Sequence, residues 1–375
     1  MKITKQRDCS VLIDQRSGEI DSYEIDVLGK RNENFRIANT QVSSVFDHIL
    51  QELLTEDIER FQRVLEKALE PQKDYLTETE HQLYRRGKKL RPMMLMLSAR
   101  MIHGERELPE KVILAAVSLE MLHVATLIHD DIIDGALMRR GLKSVNATRG
   151  SNAAILVGNL QFLQGIRSFL DAIDTDSEMG LVKQVLDTAF RICCGEIDEL
   201  NTDPYWELKK LKEHYYQVIE RKTAIMFGLA CETGVALAQG HSSDARRAGY
   251  YGRRVGRAFQ IMDDLFDNLL PTNIAGKIQG TDLAQKRFSL PIIYAMEELG
   301  DDHLVSQIAR GVISPTSKQL IEGVEAIKLS DGFSRAYADA RYQALDALEF
   351  LAPFPDNQYR QALSEIALST VDRSF

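Results

Sequence analysis

From about Val42 to the C-terminus, apolar residues recur at spacings of three and four almost without interruption. The segments VFDHILQELL, IERFQRVLEKAL, MGLVKQVLDTAFRIC and YQVIERKTAIMFGLA carry this period, which gathers apolar side chains on one face of a helix. The period-two alternation of a half-buried strand is absent there. Glycine and proline, 23 and 9 of 375 residues, are too few to punctuate many strands. Breaks fall at Pro71, 85–92, 103–109, 140–150, 240–243, 271–280 and Pro315. The expectation is an all-α chain of roughly ten to thirteen helices joined by short loops, and a single large bundle of this length buries ample core. Residues 1–41 differ, because SVLID and SYEIDVL read as short extended runs around RSGE. They form an N-terminal appendage to a helical domain at 42–375.

With 46 basic against 55 acidic side chains, the net charge is −9. That balance argues against nonspecific nucleic-acid binding, which needs an excess of Lys and Arg to neutralise phosphates. The most apolar run, 112–128, contains Glu120 and His123 and leads into an acidic cluster. It reads as a buried core helix, and no transmembrane segment is expected. The four cysteines, at 9, 193, 194 and 231, show no C-x-x-C spacing. Together with an N-terminus unlike a signal or transit peptide, they fit a reducing cytoplasm.

The first residues with chemical content are His129-Asp130-Asp131-Ile132-Ile133-Asp134, closing that apolar run. At about 100° per residue, Asp130, Asp134 and Asp131 fall on one helix face. Three carboxylates there repel one another and oppose the helix dipole, so a cation must compensate them. The arrangement recurs at Asp263-Asp264-Leu265-Phe266-Asp267, after the apolar-periodic run YYGRRVGRAFQIM. One such cluster is ordinarily a solvated acidic face; two, each closing an apolar helix, point to hard cations. Mg²⁺ suits them, since it takes a few carboxylates and completes its octahedron with water and phosphate oxygens. The ligand implied is a di- or triphosphate. Basic groups lie nearby: five cations in Arg85 to Arg91, then Arg139 and Arg140, Lys222-Thr223, Lys277, and Lys286-Arg287. In a net-acidic chain they point to two anions bound differently, one through metal and one by Arg and Lys directly.

These residues resemble the head-to-tail trans-isoprenyl diphosphate synthases, or polyprenyl synthetases. RGKKLRP is similar to the family's G-G-K-R-L-R-P, LIHDDIID and AFQIMDDLFD to its two aspartate-rich motifs, and RRGLKSVN to its R-R-G-x-P-[ST]-x-N segment. GKIQGTDLAQKRFSLPIIYA resembles its G-K-x-x-G-x-D-L stretch, and the likeness runs in order over residues 45–375. It implies a bundle of the isoprenoid synthase type with a deep central cavity, the acidic motifs facing each other at its mouth, and a homodimer. It assigns Asp130, Asp131, Asp134, Asp263, Asp264 and Asp267 to the allylic diphosphate and about three Mg²⁺ ions. The metal ligands would be Asp130, Asp134, Asp263 and Asp267. Lys88, Arg91, His123 and Arg140 would hold isopentenyl diphosphate; Arg139, Lys222, Thr223, Gln260 and Lys277 would hold the allylic diphosphate. The departures are Arg86 for a glycine, Asn159 for an aspartate, Glu199 for a glutamine and Arg287 for a lysine.

The implied activity is condensation of an allylic diphosphate with isopentenyl diphosphate. A terpene cyclase would need no second diphosphate site and usually carries N-D-x-x-S-x-x-x-E at the second motif, which Asp263 to Asp267 do not match. The other alternative, a catalytically weak partner subunit of a heteromeric synthase, has only the departures in its favour. For product length, Thr126 and Ala125 lie about 6 to 7.5 Å down the helix from Asp130. Relatives that stop at fifteen carbons put aromatic rings at these positions. Two small side chains imply a deeper floor, near Leu122 or the helix of Phe162, and a product of twenty carbons or more.

Overall fold

The computed structural model describes residues 45–269 and 280–372; the appendage at 1–41 and Lys277 lie outside the described residues. The chain runs through α1 (Thr55–Leu69), α2 (Glu78–Arg85), α3 (Leu90–His103) and α4 (Glu110–Ile133) into a hairpin, β1 (Met138–Arg139) and β2 (Leu142–Lys143). Then come α5 (Ser151–Leu170), α6 (Met179–Leu200), α7 (Leu208–Ile219), α8 (Ile225–Leu237) and α9 (Ser242–Leu269), with a π-helical turn, Glu220–Ala224, between α7 and α8. Past a single turn at Thr281–Ala284, the bundle ends in α10 (Leu290–Leu299), α11 (Ser317–Leu329), α12 (Gly332–Leu351) and α13 (Gln358–Val371).

The all-α reading holds over the described residues, with one exception. In the hairpin, Met138 pairs with Lys143 and Arg139 with Leu142, and two residues per strand are too few to show alternation. Its turn residues, Arg140 and Gly141, have φ of 52° and 74°, the left-handed values of a type I′ turn.

Helices that are apolar all round can only sit inside, and three do. In α3 every residue from Pro92 to Met101 is buried. α8 is buried over most of its length. α4 is apolar and long enough to cross a membrane, yet 72% of that stretch is buried within the protein; it is the core helix that its Glu120 and His123 foretold. α4 packs against α3 and α5, α8 against α3 and α9, and α9 against α12. α9 comes very close to α8 because position 252 is glycine: a Cβ there would stand 2.3 Å from the Phe227 carbonyl oxygen. That approach carries the second acidic motif toward the first.

A buried ion pair ties α1 to α3. Arg100 Nε and Nη2 donate to Asp57 Oδ2 and Oδ1 at 2.7 and 2.8 Å, and the two side chains are 7% and 1% exposed. Arg100 also donates to the carbonyls of Gly104 and Arg106, tying down the turn that ends α3. Asp57→Ala leaves a buried guanidinium without its counter-charge and should cost about 3–5 kcal/mol in urea unfolding. A loss below about 1 kcal/mol would show that the pair is incidental to stability.

Candidate active site

The ends of α4 and α9 open on a cavity of about 400 Å³. Asp130 and Asp134 line one wall, Asp263, Asp264 and Asp267 the other, with Lys222 and Thr223 between them on the π-helical turn. Position 195 must be glycine for α6 to meet that turn, since a Cβ would stand 2.8 Å from Arg221 Cβ and 2.9 Å from Lys222 Cγ. Arg91, His123, Arg139, Arg140 and Gln260 also line the cavity. Fifteen of the residues singled out from the sequence thus converge: these five, the five aspartates, Lys222, Thr223, Thr126, Glu199 and Arg287.

The middle aspartate of each motif is held rather than free. Asp131 is 2% exposed and accepts from Arg139 Nε at 2.8 Å, so it turns away from the cavity. The reason is angular: 100° from Asp130, it reaches the flank where the hairpin delivers Arg139. Asp264 accepts from Tyr215 Oη at 2.6 Å and Gln260 Nε2 at 2.9 Å, and Gln260 accepts from Thr223 Oγ1 at 2.8 Å. Asp267 Oδ2 accepts from the Asp282 backbone N–H at 3.0 Å.

Burial and mutual repulsion press on these carboxyls. Asp130, Asp264, Asp282 and Glu196 are all pushed up from the ordinary carboxylate range, by burial first; the Asp130 charge then raises Glu196, and Asp263 raises Asp264. Internal cations offset part of the crowding. Arg287 pairs with Asp134, and Lys222 lies 2.8 Å from Glu196 and 2.6 Å from Glu199.

The basic side of the cavity is built differently. Arg91 lies over the Phe227 ring, 4.5 Å from its centroid, and Nη1 is 3.1 Å from His123 Nε2. Its Nε is buried with no partner, an orphaned donor suited to an anion. Burial pulls the Arg91 guanidinium down to about 10. Burial, then Arg91 and Arg140, hold His123 well below the usual imidazole value, so it is neutral and accepts from Arg91. Arg140 donates to the carbonyls of Leu83 and Arg86 at 2.8 and 2.7 Å, fastening the hairpin to the basic loop. Under that loop Glu120, 1% exposed, holds Lys89 at 2.8 Å.

Besides Asp131, expected at the allylic diphosphate but held by Arg139 outside the cavity lining, three expectations need correction or refinement. Lys88 stands over the Phe46 ring, 5.3 Å from its centroid, outside the cavity lining. Ala125 is fully buried and does not line the main cavity, being turned 100° from Thr126 into the helix packing. Thr126, Leu122 and Phe162, by contrast, line a small apolar void of about 10 Å³ below the main cavity, which shares Thr126 and Ile192 with it. The sequence reading missed Glu196, Tyr215 and Asp282 in the cavity wall and treated Glu120 only as an argument against a membrane. Asp282 lay within the quoted GTDL; Glu196 and Tyr215 gave no signal beyond helical spacing from Glu199 and Lys222.

Comparison with known proteins decides what this arrangement is. The polyprenyl synthetase family model matches residues 73–322. The chain belongs to the polyprenyl synthetase family. Among its relatives, the heptaprenyl diphosphate synthase component 2 of Geobacillus stearothermophilus is 30% identical over 86% of this chain and 97% of its own. The octaprenyl diphosphate synthase of Haemophilus influenzae is 31% identical over 77% and 85%. A decaprenyl diphosphate synthase from Rhodobacter capsulatus superposes with a TM-score of 0.78 at 26% identity, covering 88% of this chain and 99% of that one. A polyprenyl synthase from Caulobacter crescentus, solved with calcium and isoprenyl diphosphate, has the same TM-score and identity over 88% and 98%. Within this polyprenyl synthetase, Asn159 is exposed on α5, away from the cavity, and Arg86 donates to the Arg140 carbonyl. Glu199 and Arg287 are the departures that reach the site.

The neutral state of His123 gives a pH signature. Below the ordinary imidazole value of about 6.5 the unfolded chain takes up a proton that the folded one refuses, so stability falls as pH falls from there. Between pH 7.5 and 5.5 the wild type should lose about 1 kcal/mol more than His123→Gln, read by urea unfolding at both pH values. Equal losses would show that His123 takes up its proton as readily in the folded protein as in the unfolded chain.

Proposed function

We propose that this chain joins an allylic diphosphate to isopentenyl diphosphate head to tail, giving a trans-polyprenyl diphosphate of twenty carbons or more and releasing pyrophosphate. The observation that carries this reading is the pairing in one cavity of two facing acidic motifs with a separate cationic pocket whose Arg91 Nε is orphaned. A terpene cyclase has no use for the second pocket.

The acidic side fits Mg²⁺. Its donors are all carboxylate oxygens, the hard ligands this ion prefers. Among the described residues no group of three His, Cys, Asp or Glu side chains is placed to hold a metal by itself; Mg²⁺ characteristically completes its shell with phosphate oxygens and water. Asp130 and Asp134 would hold Mg²⁺ from one motif, Asp263 and Asp267 from the other, with Asp264 locked behind them. Bound there, about three such ions would neutralise the leaving diphosphate and favour its departure.

The chain's own residues do the rest. Lys222 and Arg139 face the departing diphosphate. Arg91, Arg140 and neutral His123 hold the second diphosphate, aligning the isopentenyl double bond with the allylic carbon. The C1–O bond breaks, the double bond attacks that carbon, and pyrophosphate accepts the proton whose loss restores an alkene. Leu127, Ile192 and Phe259 line the reaction space and exclude water from the cation. The Thr126 hydroxyl donates to the His123 carbonyl at 2.8 Å, leaving its methyl group for the growing tail.

We also infer a homodimer. On α6, Leu186, Phe190, Cys193, Ile197 and Leu200 recur at four and three along an exposed edge, and Leu156, Leu163 and Leu170 recur every seven on the adjoining α5. Such a seam is the pattern of helices that pack on a second copy. The likeness to a synthase component supports a heteromeric reading instead. The three cysteines among the described residues are free thiols, which suits a cytoplasmic location. The purified chain alone, its mass measured by sedimentation, should convert labelled isopentenyl diphosphate and an allylic primer to a prenyl diphosphate with Mg²⁺. Turnover only after adding a second protein would establish the partner-subunit reading.

Asp130→Ala should lower turnover by about 10² to 10³ with folding unchanged or improved, since like-charge repulsion is relieved; near-normal turnover at saturating Mg²⁺ would remove Asp130 from the metal site. Thr126→Phe should shorten the product by closing the entrance to the apolar void. An unchanged product distribution from a folded, active variant would mean that the tail runs elsewhere.

A further inference from the structure

Lys222 is over-compensated. Glu196 and Glu199 stand three residues apart on α6, hence on one face, and both reach its ammonium, at 2.8 and 2.6 Å. Asp130 adds a third negative charge nearby. Neither glutamate belongs to an aspartate-rich motif, and the tight Gly195 contact keeps α6 from backing away. The two differ in their surroundings. Burial and the Asp130 charge press on Glu196 and push its carboxyl up, whereas the side-chain hydrogen bond of Glu199 is to Lys222. The Glu199 side chain is 30% exposed to the cavity.

A diphosphate that uses Lys222 must therefore take it from Glu199. We propose that Glu199 is a positioning residue that holds Lys222 back from the allylic diphosphate until divalent cations occupy the acidic motifs, so that metal binding and diphosphate binding are coupled through it. The proposal rests on the prenyl-transfer reading above. Positive charge arriving between the motifs weakens the pull of the carboxylates on the ammonium, and Lys222 turns to the phosphate. Without metal, the same carboxylates both occupy Lys222 and repel the ligand. By linkage the effect is mutual: the factor by which metal tightens diphosphate binding equals the factor by which diphosphate tightens metal binding. Loss of the Glu199 charge leaves Lys222 2.8 Å from the Glu196 carboxyl and near the Asp130 charge, so the ammonium keeps partners and Glu199→Gln should fold.

The test is calorimetric titration of the full chain with inorganic pyrophosphate, once in EDTA and once in saturating Mg²⁺. In EDTA, Glu199→Gln should bind pyrophosphate on the order of tenfold tighter than wild type, while in Mg²⁺ the two should agree within about threefold, so the metal-dependent gain shrinks. Glu199→Asp, which keeps the charge, should restore most of that gain. In a Lys222→Met background the Glu199→Gln effect should vanish, since the partner is gone. An unchanged ratio in Glu199→Gln, with wild-type binding intact, overturns this proposal alone. So does an undiminished effect in the Lys222→Met background, which would reflect general relief of negative charge. A wild-type chain that binds no pyrophosphate even in Mg²⁺ overturns the prenyl-transfer reading together with it.

Discussion

Mutual repulsion among carboxylates is the constraint on which the site depends. Asp130 and Asp134 face Asp263, Asp264 and Asp267 across one cavity, with Glu196, Glu199 and Asp282 in its wall. Burial first, then neighbouring negative charge, raises Asp130, Glu196, Asp264 and Asp282 above the ordinary carboxylate range, and a chain selected for stability alone would disperse so much negative charge. The folded protein holds it together with internal cations: Arg139 on Asp131, Arg287 on Asp134, Lys222 on Glu196 and Glu199. Each cation comes from a different element, so the charge balance fixes the relative positions of the hairpin, the π-helical turn and the segment after α9. The same balance makes the site ready to exchange its counter-ions for metal and phosphate.

The opposite wall solves the converse problem. Arg91, Arg140 and Lys89 are brought close by the basic loop and the hairpin, and their repulsion is offset by Glu120 beneath them, by the Phe227 ring under Arg91, and by backbone carbonyls that accept from Arg140. His123 contributes by staying neutral. On the proposed reading, one diphosphate site has its cations paired with carboxylates until metal arrives, while the other carries cations of its own. That asymmetry lets a single cavity tell two diphosphates apart.

Much of this was legible in the sequence because helix period and motif spacing are local properties. The apolar run before Asp130 had to be a core helix, and two aspartate clusters each closing a helix had to meet a cation. What the sequence did not disclose depends on which element arrives from elsewhere. Asp131 shares a helix face with Asp130, yet Arg139 of the hairpin claims it, and a two-residue strand has no period to read. Ala125 and Thr126 are neighbours in the chain, but one packs into the bundle and the other borders the small apolar void, a matter of 100°. Glu120 counted only against a membrane span, and its role appears once Lys89 of the basic loop is seen above it. Tyr215, which locks Asp264, is one more aromatic residue in an amphipathic helix until α9 comes beside it.

The central claim is that the two acidic motifs share divalent cations with a bound diphosphate. Anomalous diffraction from crystals grown with Mn²⁺ and inorganic pyrophosphate tests it most directly. The account predicts manganese peaks between Asp130 and Asp134 on one side and Asp263 and Asp267 on the other, bridged by phosphate oxygens, with Arg287 and Lys222 moved off their carboxylates and onto the anion. Pyrophosphate bound at Arg91 and Arg140 with no manganese at either motif, or manganese held away from both, would contradict it.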